Sequence, residues 1–164
     1  EIPNATMDQW KKMFIPYVLP IKVGTTVNFP NKDKIKHHVY SFSKSKRFEL
    51  KLYSGVKAKP IIFDKPGVVV LGCNIHDWMV GYIYVSETPY YGKTDNEGNL
   101  SLEGIPADQF LARVWHPRLK GKPEKYEQNI DIKEDQIVNI TFTIPLKPEI
   151  KHEQPEDEYI EDDY

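Results

Sequence analysis

Apolar and polar positions alternate in short runs along most of the chain. Ile21, Val23, Thr25, Val27 and Phe29 share one parity, with Gly24 among them. A period of two is the mark of a half-buried strand. Pro30-Asn31-Lys32-Asp33 then reads as a turn, and His37 to Phe42 as a strand rich in Val, Tyr and Phe. Pro60 to Phe63 is a short strand. Pro66-Gly67 is a turn, Val68 to Leu71 a buried strand, and Val80 to Val85 a further one. Residues 5–14 fit a helix or, through Thr6, Trp10 and Phe14, an edge strand.

Glu87-Thr88-Pro89 marks a break, after which a second pattern begins. Asp95-Asn96-Glu97-Gly98 is a turn signal between Tyr90-Tyr91 and Leu100-Ser101-Leu102. Phe110 to Trp115 and Gln136 to Ile144 alternate, and Pro145 and Pro148 close the series. Strands at such spacing predict an all-β protein with two sandwiches, one over 1–87 and a smaller one over 88–147.

Composition agrees with this reading. Thirteen prolines and nine glycines among 164 residues favour turns over a helical bundle. The longest aliphatic run, Val68-Val69-Val70-Leu71, is far too short for a membrane span. The net charge of −2 argues against nucleic acid as a partner. The charge is uneven, however: residues 149–164 carry eight of the 24 acidic residues and one of the 22 basic ones. Such a tail, from 148 onward, is expected to be disordered, either as a solubilising end or as an electrostatic docking segment. Glu1 suggests a processed chain whose leader has been removed.

The chemistry gathers in Gly72-Cys73-Asn74-Ile75-His76-Asp77-Trp78-Met79-Val80-Gly81. The single cysteine, a histidine three residues on and a methionine three further lie between two apolar strands. Thiolate, imidazole and thioether are soft-to-borderline donors that suit copper and not magnesium or calcium. A trigonal His2Cys site with a weak axial Met needs one more imidazole, which His37-His38 can supply. The bland alternatives are a buried cysteine acting as a small hydrophobe, a core methionine, a zinc site or a redox thiol.

Cys-x2-His-x2-Met between these strands resembles the cupredoxins, the type 1 copper proteins, with the loop spacing of the amicyanin and plastocyanin-like branch. Val27-Asn28-Phe29-Pro30-Asn31 to Asp33, then His37, is similar to the family's first-ligand segment. Residues 13–85 resemble plastocyanin-like proteins associated with methylamine utilisation. Thr94-Asp95 to Leu100, Ile105-Pro106 and Val114-Trp115-His116-Pro117 resemble a carboxypeptidase-regulatory-like, prealbumin-like β-domain. The resemblance implies a Greek-key cupredoxin β-sandwich with one copper per chain. His37, Cys73 and His76 would be its equatorial ligands and Met79 its axial ligand. It further implies one-electron transfer with a transient redox protein partner, no bond-making catalysis, and a periplasmic location. His76 would be the point of electron entry, with Tyr17, Val18, Ile75 and Trp78 as a small docking patch.

Three residues depart from the pattern. The family commonly has Asn after its first histidine, and here there is His38. Alternation groups His38 with Tyr40 and Phe42, which favours His38 facing inward, while the motif favours His37. Asp77 replaces the proline that follows the loop histidine in amicyanin-like chains, and Trp78 precedes Met79. His116 reads as a strand-end histidine or a residue capping the copper site, and His152 as a tail residue. The rival functions are a copper carrier or tolerance factor, an enzyme or sensor with an open copper position, and a scaffold subunit of a redox complex.

Overall fold

The computed structural model describes residues 2–55 and 58–151. The expected acidic tail, with His152, lies outside the described residues from position 152. Two compact units divide the chain between Leu102 and Glu103, beyond the Glu87-Thr88-Pro89 break. Among the described residues no helix is long and apolar enough to cross a membrane.

Among the described residues, the regular elements of the first unit are all strands. In order they are β1 (Asn4–Thr6), β2 (Asp8–Trp10), β3 (Met13–Ile15), β4 (Val18–Lys22) and β5 (Thr25–Asn28). There follow β6 (His37–Ser43), β7 (Lys46–Tyr53), β8 (Ile61–Phe63), β9 (Gly67–Cys73) and β10 (Gly81–Ser86). One sheet runs β1-β5-β8, a second runs β4-β10-β9-β6-β7, and β2 pairs with β3 as a hairpin. The two sheets share one core of Ile21, Val27, Phe29, Val39, Phe63, Val69, Leu71, Ile83 and Val85. Each such side chain contributes about 1.5–3 kcal/mol on burial.

The alternation over 21–29 spans two strands in different sheets. The chain changes sheet at Gly24, whose φ of +88° suits glycine. The inward parity survives because both sheets face the same core: Ile21, Thr25, Val27 and Phe29 are all buried. Residues 5–14 form strands. They turn at Lys11 and Lys12, both with positive φ (51° and 56°). β7 lies outside the expected strands, because Lys46, Arg47, Glu49 and Lys51 break up its apolar positions. It is an edge strand, where charges discourage pairing with another chain.

The second unit contains β11 (Asp108–Ala112) paired antiparallel with β12 (Gln128–Ile132), joined through a 3-10 turn, η1 (Pro123–Tyr126). Residues 136–144, expected as a strand, are irregular apart from their alternation. Ile137 is 91% exposed, so β-branched residues there lack the cross-strand cover that a sheet supplies. The expected turn at 95–98 does form. Asp95 Oδ1 accepts the amides of Glu97 and Asn99, yet neither flank is a strand.

Candidate metal centre

Two strand ends and one loop assemble the site. β6 begins at His37, and its side chains alternate inward as His37, Val39 and Ser41. Its pairing with β7 shifts register between His37 and Val39, a bulge at the start of the strand. On the other side, Val39 pairs with Cys73, the last residue of β9. The Asn74 amide continues that ladder to the His38 carbonyl at 3.3 Å. The loop then closes with the Met79 amide donating to the His76 carbonyl at 2.9 Å. At Gly81, β10 starts with Phe14 against the backbone: an added Cβ there would lie 2.8 Å from the Phe14 Cβ.

These constraints bring His37 Nδ1 and His76 Nδ1 each to 3.7 Å from Cys73 Sγ. The three ligand atoms lie within 4.8 Å of one another. The two imidazole rings are 5.2 Å apart, inclined at 67°. His37, Cys73, His76 and Met79 are 0, 2, 7 and 1% exposed. Metal–nitrogen bonds of about 2.0–2.1 Å and a metal–thiolate bond of about 2.3 Å, about 120° apart, separate their donors by about 3.7 Å. The spacing on both sides of Sγ is thus that of a trigonal donor set. Two imidazoles and a thiolate so disposed, with a thioether in the same loop, fit copper. Among the described residues, no other group of three or more His, Cys, Asp or Glu has this arrangement.

The protons are arranged for ligation. Asp33 Oδ2 lies 2.7 Å from His37 Nε2, and a carboxylate only accepts, so Nε2 carries the hydrogen. That leaves Nδ1 as the ring atom turned to Cys73 Sγ, the one that would ligate once it carries no proton. Burial pushes the Cys73 thiol up, but hydrogen bonds from His37, the His38 and Ile75 amides and His76 outweigh it and bring it down to about 6. Burial also works against charge on His37, and its bonds to Cys73 and Asp33 overcome that and raise it. The metal-free site is thereby biased toward thiolate, the form that binds metal.

His37, not His38, faces the cluster. The bias that favoured His38 fails because Phe42, on its face, is 73% exposed: that side of β6 is the outer one. His38 Nε2 lies 2.6 Å from Glu49 Oε1 without hydrogen-bond alignment. Trp78 sets its ring 5.3 Å from that of His76, at 60°, and its indole nitrogen is buried without a hydrogen-bond partner. Asp77, Tyr17 and Ile75 are exposed and Val18 is half-buried. His116, in the second unit, lies beyond the end of β11 and accepts the Arg118 amide on Nδ1 at 3.0 Å. Asp33 closes the turn and the first-ligand-like segment in the sequence, and its spacing four positions before His37 is the signal of this contact.

No protein-family model matches the chain, and no curated protein matches it. Several solved structures are similar to it over about half its length. A copper-containing nitrite reductase from Thermus scotoductus SA-01 is 32% identical, with a TM-score of 0.48. That match covers 52% of this chain and 23% of the other. A reduced amicyanin variant is 25% identical, with a TM-score of 0.45, covering 50% of this chain and 81% of its own. A purple cupredoxin from Nitrosopumilus maritimus is 26% identical, with a TM-score of 0.44, covering 51% and 99%.

Proposed function

We propose that this chain is a type 1 copper protein that carries single electrons between redox proteins. The observation that carries the reading is Cys73 Sγ standing 3.7 Å from the Nδ1 atoms of both His37 and His76. Copper, when bound, supplies a one-electron couple. The chain's part is to hold the donors where both oxidation states are tolerated, so that little rearranges on transfer. His37 is held from behind by Asp33, Cys73 ends a strand paired on both sides, and His76 is fixed by the turn to Met79. Met79, buried in the same core cluster as Cys73, would add a thioether to the donor set.

Burial of the whole donor set favours electron transfer over metal hand-off, since a carrier of cargo must open its site to a recipient. His76, under Trp78 and beside the exposed Ile75, is the proposed point of electron entry. The partner is a redox protein that binds transiently, steered by the basic body and acidic tail. The proposed location is the periplasm.

The test is a titration of the metal-free chain with Cu(II), followed by visible absorption and EPR, repeated on Cys73→Ser and Met79→Leu. An intense thiolate-to-copper band at one equivalent, lost in Cys73→Ser and reversibly bleached by reductant, is expected. The Met79→Leu spectrum then reads the axial position. Copper bound only as ordinary tetragonal Cu(II) would overturn the assignment in favour of copper handling.

A further inference from the structure

The hairpin of β2 and β3 contributes no ligand, yet it is tied to the centre. Its two-residue loop, Lys11-Lys12, has positive φ at both positions, where Asn or Gly is the usual choice. For lysine this left-handed conformation is strained, because its Cβ crowds the following carbonyl. Both amides point at one side chain: Lys11 N donates to Asp33 Oδ1 at 2.6 Å, and Lys12 N to Asp33 Oδ2 at 2.9 Å. The same Oδ2 receives His37 Nε2.

Asp33 is itself fixed from below. Its amide donates to Asn31 Oδ1 at 2.9 Å. Asn31, buried, spends its Nδ2 on the carbonyls of Ile35 and Tyr53. Tyr53 is the β7 residue paired with His37. The hairpin side is anchored too, since the Lys32 amide donates to the Gln9 carbonyl at 2.8 Å.

We infer that Asp33 is a positioning residue for the metal centre. Its carboxylate holds His37 by Nε2 and takes its own place from the left-handed Lys11-Lys12 turn, so the hairpin is part of the centre's scaffold. A neutral turn would need no such residue pair. Here the strained loop presents two converging amides, an anion-binding concavity, and the anion it binds orients the ligand. The inference rests on the copper reading above for what the orientation serves.

The experiment uses the full chain with Asp33→Ala and Asp33→Asn, and Cu(II) alone as the probe. Without metal, the Lys11 and Lys12 amides of the unaltered chain are expected to be protected from exchange. The His37 Nε2 proton is expected to give a slowly exchanging NMR signal. In Asp33→Ala both features are lost, Cu(II) affinity falls about 10–100-fold, and the charge-transfer band and reduction potential move. Asp33→Asn, which keeps one acceptor oxygen, falls between. Unchanged affinity, band and potential in a folded Asp33→Ala would reduce the carboxylate to a turn cap and overturn the inference. Should that variant not fold, the unaltered chain decides: a His37 Nε2 proton exchanging as fast as an exposed imidazole's overturns it. Absence of the charge-transfer band in the unaltered chain would sink the copper reading alone, because the amide and imidazole signals are read without metal.

Discussion

The Tyr40 ring lies across Gly72, so closely that a Cβ on Gly72 would stand 2.6 Å from the ring carbon Cζ. The two residues face each other in the β6–β9 ladder, one step from the Val39–Cys73 pair. The glycine before Cys73 is therefore a packing requirement.

Gly72→Ala should destabilise the metal-free chain by about 1–3 kcal/mol, the usual cost of overpacking. Chemical denaturation measures it. In a Tyr40→Ala background the same substitution should cost clearly less, because the clash partner is gone. Equal costs in both backgrounds would contradict the contact.

Met79 packs in the core whether or not it binds metal. Met79→Ala should cost about 2–5 kcal/mol of metal-free stability, and Met79→Leu under about 1.5 kcal/mol. Unfolding curves of the two variants without copper check this separately from the spectra of the loaded protein.

Tyr53 donates its hydroxyl to the Phe29 carbonyl at 2.6 Å. Burial pushes its pKa up to about 12 from the usual 10.0, partly offset by the hydrogen bond with Gln9. A group with a raised folded pKa favours its protonated form in the native state. Its stabilisation is whole below about pH 10 and is lost as pH climbs toward 12. Stability measured from pH 8 upward should fall in that window, and Tyr53→Phe should flatten the fall. The variant itself should cost only about 1 kcal/mol at neutral pH, because Gln9 Nε2 still serves the Phe29 carbonyl.

Trp78 covers His76 in the metal loop. Trp78→Ala should speed removal of Cu(I) by a chelator while leaving Cys73→Ser as the variant that abolishes the band. Chelator exchange followed in a stopped-flow instrument reads this. An unchanged rate would mean that the indole does not guard the site.

Much of the site was legible because its donors are rare and close in sequence. Cys73, His76 and Met79 share one loop, so their spacing alone announced a soft-metal centre. The alternation of β5 was equally plain, since one parity turns to the core, whereas β9 and β10 were legible as apolar runs between turns. β7 was hidden by its charged alternate positions, which belong to an edge. Residues 136–144 misled in the opposite sense: they carry a strand's pattern, but a strand exists only when something pairs with it.

From the sequence by itself come the all-β class, the sites of most turns, and the donor types of the centre. These depend on local periodicity and on the chemistry of single residues. Only the tertiary structure decided which of His37 and His38 turns inward, because that depends on a bulge and on which face of β6 meets the core shared with the three-stranded sheet. It alone brought Asp33 between the Lys11-Lys12 turn and His37, a convergence of segments about twenty residues apart that no local pattern encodes.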